Sequence, residues 1–146
     1  MRKIFLGLAF SVFLVIAWAV YAADMGQRNV VFTFVRSLPF GDKIGHFCLF
    51  GTLCFFATLG TNCHRFTLQQ IHIPSATSII LSLALLEEIT QAWSPYRTFD
   101  LMDLLADFLG AGTATFLAYA LQRRRQVQSQ SSPESKRRAK PNRSWC

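Results

Sequence analysis

The stretch Tyr96–Arg125, YRTFDLMDLLADFLGAGTATFLAYALQRRR, decides how the rest of the chain is read. From Leu101 to Leu121 it is an apolar run long enough to cross a bilayer, yet Arg97, Asp100, Asp103 and Asp107 stand at or inside its beginning. An ionisable group at membrane depth costs several kcal/mol unless it is paired, hydrated or in use. On a helix, Asp100, Asp103, Asp107, Gly110 and Ala114 follow i, i+3, i+7, i+10 and i+14, a single stripe. A neighbouring stripe of small residues, Ala106, Gly110, Ala114 and Ala118, lets another helix approach closely. Both patterns point the polar side of this helix into a bundle and away from lipid.

Working outward, three further apolar runs appear: Ile4–Ala23, Ile44–Gly60 and Pro74–Trp93. A hydrocarbon core of roughly 30 Å needs about 17–25 helical residues, so each run is long enough to cross. The 146 residues are 51% hydrophobic and only 16% charged, with a mean hydropathy of +0.28. Soluble domains carry charge on about a quarter of their residues. The expected fold is an all-α membrane protein: a bundle of four transmembrane helices (4–23, 44–60, 74–93, 101–121) forming a domain over residues 1–121. A disordered, basic C-terminal tail over 122–146 follows. The first run is read as a retained helix; VYA before Ala23-Asp24 also resembles the small-residue site of a cleaved signal peptide.

Lys and Arg accumulate on cytoplasmic flanks. Arg2 and Lys3 precede the first helix, and Arg123, Arg124 and Arg125 close the fourth. Four crossings place both ends on one side, so both termini are expected in the cytoplasm, with the 61–73 loop. From Gln122 onward the tail holds 8 of the 15 basic residues and one acid, Glu134. Beside a membrane helix, a basic run reads as a topology signal or an anionic-lipid contact; nucleic acid is not an expected partner. The seven remaining acids, Asp24, Asp42, Glu87, Glu88, Asp100, Asp103 and Asp107, all fall on the extracytoplasmic half. In the first outer loop, Val31, Phe34, Val35 and Leu38 have the spacing of an amphipathic helix lying on the outer leaflet, a short strand being the alternative. Cys48 and Cys54 read as structural thiols, and four scattered cysteines make no disulfide framework. No phosphate-cradling glycine loop, CxxC pair or HExxH is present.

The other helices bring polar residues to the same depth. Ala84, Glu88, Gln91 and Pro95 form a stripe ending at the outer surface, and Asp42 and His46 lie one turn apart where the second helix leaves it. The expected result is a pocket open to the outside, lined by His46, Glu88, Gln91, Arg97, Asp103 and Asp107. Plainer roles compete for several of these. Asp42 and Asp100 precede helices and suit N-caps, with Asp103 completing a capping-box-like arrangement. Arg97 suits a structural pair with Glu88 or Asp100. Glu87 lies about 100° around the helix from Glu88, where hydration alone accounts for it. Three converging acids, Glu88, Asp103 and Asp107, repel one another unless a cation, a shared proton or Arg97 neutralises them.

At this point the chain resembles the VanZ-like membrane proteins, named after an accessory protein of glycopeptide resistance. The resemblance runs from Asp42 to about Gly112 and rests on DKIGHF, on EITQ ending the third helix, and on RTFDLMDLLADFLGAG. It implies that Asp42, Lys43, His46, Glu88, Gln91, Arg97, Asp100, Asp103 and Gly110 are the family's residues. Two positions depart from the pattern: Asp107 stands where the family usually has Asn, and Ala114 occupies the second place of a G-x-x-x-G spacing. The resemblance implies a multi-pass envelope protein of the bacterial inner membrane with a polar outer-face site; antibiotic resistance attaches to one branch only.

Three functions compete. The first is a non-enzymatic protein that binds a lipid head group, wall precursor or cation, with membrane lipid as its partner. The second is an intramembrane enzyme acting on an envelope lipid through His46 and carboxylates, as acid/base groups or metal ligands. The third and least favoured is an ion-coupled transporter, since no polar residue in the cytoplasmic halves completes a path and four helices are few without an oligomer. No residue pattern names a cofactor, a catalytic residue or a particular metal.

Overall fold

The computed structural model describes residues 2–27, 30–68, 71–93, 97 and 99–131. It comprises α1 (Arg2–Asp24), α2 (Val30–Ser37), α3 (Gly41–Gly60), a hairpin of β1 (Arg65–Leu68) and β2 (Ile71–Pro74), α4 (Ser75–Gln91) and α5 (Leu101–Ser131). Helix α3 is central: it packs against α5 on one side and α1 on the other, while α4 rests on both α3 and α5.

Its burial pattern departs from a water-soluble protein's: an apolar core of Ile16, Phe50, Leu53 and Ile80 is joined by buried acids, and large apolar side chains cover the outside. The largest fully buried side chains include Gln91, Glu88 and Asp107, whereas Phe10, Trp18, Ile79, Leu109 and Phe116 are exposed. Apolar residues facing outward around buried acids require an apolar solvent. Among the described residues, three helices are long and apolar enough to cross a membrane: Arg2–Asp24, Gly41–Gly60 and Leu101–Gln128. The expected fourth span corresponds to α4, which has 17 residues and sits at the short limit for a crossing.

Small residues set the tight crossing of α3 and α5. A Cβ on Gly110 would run into the carbonyl oxygen of Phe47, and one on Gly51 would lie 3.2 Å from the carbonyl oxygen of Gly110. Ala111, Ala114 and Ala118 are buried beside them, whereas Ala106 is only half-buried. The expected packing stripe is therefore real from Gly110 onward and carries Ala111 in addition.

Residues 30–37 form the expected helix and not the alternative strand. Two local readings change. The 61–73 segment is not a plain loop: β1 and β2 pair antiparallel with Arg65 opposite Pro74 and Leu68 opposite Ile71. The chain enters the hairpin through Asn62 and Cys63, both left-handed at φ 54° and 53°. The tail does not begin at Gln122, because α5 continues to Ser131. Leu, Gln and Arg are good helix formers, and extending a formed helix avoids the cost of nucleation. The rest of the expected disordered tail, 132–146, lies outside the described residues.

Candidate functional site

The end of α1, the start of α3, the end of α4 and the start of α5 meet at one end of the bundle, and the acids come with them. Asp100 ends the α4–α5 link and caps α5: its Oδ1 accepts the Met102 amide at 2.9 Å. That expectation holds for Asp100 and fails for Asp42. The residue before α3 is Phe40, left-handed at φ 58° and without a side-chain cap. Gly41 is already helical and packs on the Val35 carbonyl, where a Cβ would collide. Asp42 is thus carried into the first turn, exposed, where the helix dipole favours its charge.

Most of the acids are partnered, and the partner of Arg97 differs from the one expected. Lys43 donates from Nζ to Asp100 Oδ2 at 2.6 Å and to Asp103 Oδ1 at 3.0 Å, tying α3 to α5. His46 Nδ1 lies 3.1 Å from Asp107 Oδ1, with Phe50 stacked on its ring at 5.9 Å. Arg97 donates to Glu87 Oε1 at 3.0 Å and pairs with neither Glu88 nor Asp100. Gln91 Nε2 donates to Glu87 Oε1 at 2.7 Å and to Glu88 Oε2 at 3.1 Å. Glu88 Oε1 accepts the Asp100 amide at 2.6 Å, so this buried carboxylate fastens the end of α4 to the start of α5.

Arg97 therefore neutralises none of the three converging acids: Lys43 pairs with Asp103, and Asp107 is hydrogen-bonded to His46. Arg97 lies in the link between α4 and α5 and pairs with Glu87 on α4. Glu87 is no hydrated surface acid: its side chain is 12% exposed and its Oε2 has no hydrogen-bond partner. Sequence spacing placed it off the Glu88 stripe and so missed it; Arg97 ten residues on was the available signal.

Outside the membrane-spanning helices, Asp100 is held below the usual carboxylate range, first by the Lys43 hydrogen bond and then by the Met102 amide. At the opposite end, burial pushes the Cys63 thiol up, and Tyr119 donates to the Cys63 carbonyl at 3.2 Å under the Arg65 guanidinium.

A cavity of about 430 Å³ opens at the polar end. One wall is α1, with Val15, Ile16, Trp18, Ala19, Val20 and Ala23. Facing it are Asp42, His46, Glu87, Gln91, Arg97, Asp100 and Asp103. Four of the six residues expected to line a pocket do so: His46, Gln91, Arg97 and Asp103. Glu88 and Asp107 stand behind them, with no exposed surface. Nothing in the acid stripes announced that α1 would supply the apolar wall. Among the described residues, Asp42, His46 and Asp103 each offer a ligand atom, all within 4.8 Å of one another.

The half remote from the cavity is not free of polar groups, as expected earlier. Thr77 and Thr115 are buried there, their hydroxyls 2.7 Å apart, and Thr58 is buried on α3. These are neutral hydroxyls between packed helices.

A family description named VanZ/LLP1 matches residues 1–122. No curated protein and no solved structure matches the chain.

Proposed function

The chain belongs to the VanZ/LLP1 family, and on that premise we propose that it is a multi-pass protein of the bacterial inner membrane. Its cavity binds the polar head group of an envelope lipid or wall precursor at the outer face. In this reading α1, α3, α4 and α5 all cross. Successive antiparallel crossings put Arg2, Lys3, Arg65 and Arg123–Arg125 at the end away from the cavity, and the excess of basic residues assigns that end to the cytoplasm. Both termini are then cytoplasmic, and α2 lies on the outer leaflet.

The observation that carries the reading is the cavity's two-part lining: apolar along α1 and at Leu49 and Phe50 of α3, charged and hydrogen-bonding at the start of α3, the end of α4, Arg97 and the start of α5. A lipid tail suits the first wall and a polar head group the second. Filling the apolar side should expel such a ligand without touching a polar residue. Ala19→Trp does this. Native mass spectrometry of the purified protein should find lipid retained by the wild type and lost from Ala19→Trp. Equal retention in both, or none in the wild type, contradicts head-group binding.

An intramembrane acid/base enzyme is the second reading, favoured by one observation. Asp107 engages Nδ1 of His46, and His46 lines the cavity. A carboxylate-oriented imidazole beside a bound head group is the arrangement of a general base or acid. Chemical change of the retained lipid by the wild type, absent in His46→Gln, would establish that reading in place of simple binding.

A further inference from the structure

We propose that the cavity carries a divalent transition-metal cation of the zinc type, held by Asp42, His46 and Asp103. The site deepens the head-group reading, resting on the same cavity being a ligand site, and places a fixed positive charge at its polar end.

Three observations converge. The first is proximity: one donor atom from each of the three residues falls within 4.8 Å of the others. A tetrahedral ion with bonds of about 2.1 Å separates its donors by about 3.4 Å, so modest side-chain rotation closes the set. Asp42 and His46 lie one turn apart on α3, and Asp103 comes from α5.

The second is how His46 is held. Asp107 Oδ1 lies 3.1 Å from His46 Nδ1, Asp107 is fully buried, and Phe50 stacks on the ring. A carboxylate on one imidazole nitrogen fixes the ring's orientation and makes the other nitrogen a better ligand, the usual support of a metal-binding histidine. It also gives a chemical reason for acid at position 107: a carboxyl group holds an imidazole nitrogen more firmly than an amide would.

The third is charge. Six carboxylates (Asp42, Glu87, Glu88, Asp100, Asp103 and Asp107) converge with only two permanent cations among the described residues, Lys43 and Arg97. Lys43 engages one oxygen of Asp103, and Arg97 one oxygen of Glu87. Glu88, Asp103 and Asp107 are buried, and buried anions gathered in such excess need additional positive charge or protons. A mixed imidazole and carboxylate set suits a first-row divalent metal.

The test is isothermal titration of the purified full chain with Zn²⁺, alongside metal analysis of the protein as isolated. One equivalent should bind. Binding should fall at least tenfold in Asp42→Asn, whose exposed position leaves the fold undisturbed, and disappear in His46→Ala. Asp107→Asn should weaken it about 10- to 100-fold by loosening His46. Circular dichroism of each variant confirms that it is folded. No saturable binding by the wild type, or undiminished binding by folded Asp42→Asn and His46→Ala, overturns the site. Ala19→Trp separates the two proposals, because it should abolish lipid retention while leaving Zn²⁺ binding intact. Lipid retained by protein that binds no Zn²⁺ refutes the cation alone.

Discussion

Lys43 joins two carboxylates of very different exposure, and its removal separates their contributions. The Asp103 side chain is 4% exposed, whereas that of Asp100 is 40% exposed. The exposed half of the pair adds little. Losing the counter-charge of a buried carboxylate costs about 3 kcal/mol or more. Lys43→Ala should therefore lower thermal stability in detergent by about that amount, and adding Asp103→Asn should restore part of it. Strict additivity in this double-mutant cycle would show that the two residues do not share a site. Asp100 adds a pH dependence whose sign is fixed. Its carboxyl is held below the ordinary value of 3.8, so the stabilisation is complete above that value and lost as pH falls through the lowered one. Acid titration of melting temperature should show less loss below pH 3.8 in Asp100→Asn than in the wild type. At this scale, sequence showed which acids gather but not who answers them. Helical spacing places Asp103 and Asp107 on one face, yet pairing with Lys43 and His46 depends on the α3–α5 register, which no local pattern encodes. Arg97 was read against the stripe, and its true partner was the acid beside it.

Among elements, α3 and α5 form the frame on which the cavity is hung, and their distance is set by backbone meeting backbone. Gly110→Ala drives a methyl into the carbonyl of Phe47, the residue after His46. Overpacking of this kind typically costs about 1–3 kcal/mol, and here it also parts the helices that bring His46 to Asp107. Gly112→Ala is the matched control, since nothing lies within 4 Å of its added Cβ. It should be neutral or stabilise by up to about 1 kcal/mol through helix propensity. Melting temperatures of the two variants decide the matter; equal effects would mean that the crossing is not glycine-limited. The small-residue stripe was legible because close approach leaves a residue-type signature. The α5 extension to Ser131 was not, because its polar composition resembles a tail's when the preceding helix is left out of account. The β1–β2 hairpin escaped for a similar reason: eight strand residues around a short connection carry too weak an alternation to stand out beside four long apolar runs.

For the whole molecule, one feature stands out: the acids turn inward at one end of the bundle while large apolar side chains face outward. That much was readable from the aspartates of the opening stretch, since an acid on an apolar helix must face the bundle. The apolar cavity wall was less accessible, because α1 carries no charge between Lys3 and Asp24 to mark an inward side. The central claim is that the polar end, with Asp42 at its mouth, opens to the outer face of the membrane. The direct measurement is labelling of Asp42→Cys, in a chain whose four native cysteines are replaced by serine, with a membrane-impermeant maleimide applied to intact cells. Labelling before permeabilisation, equal to that obtained afterwards, is the predicted result. Labelling only after the membrane is breached would place the cavity on the cytoplasmic side and contradict the account.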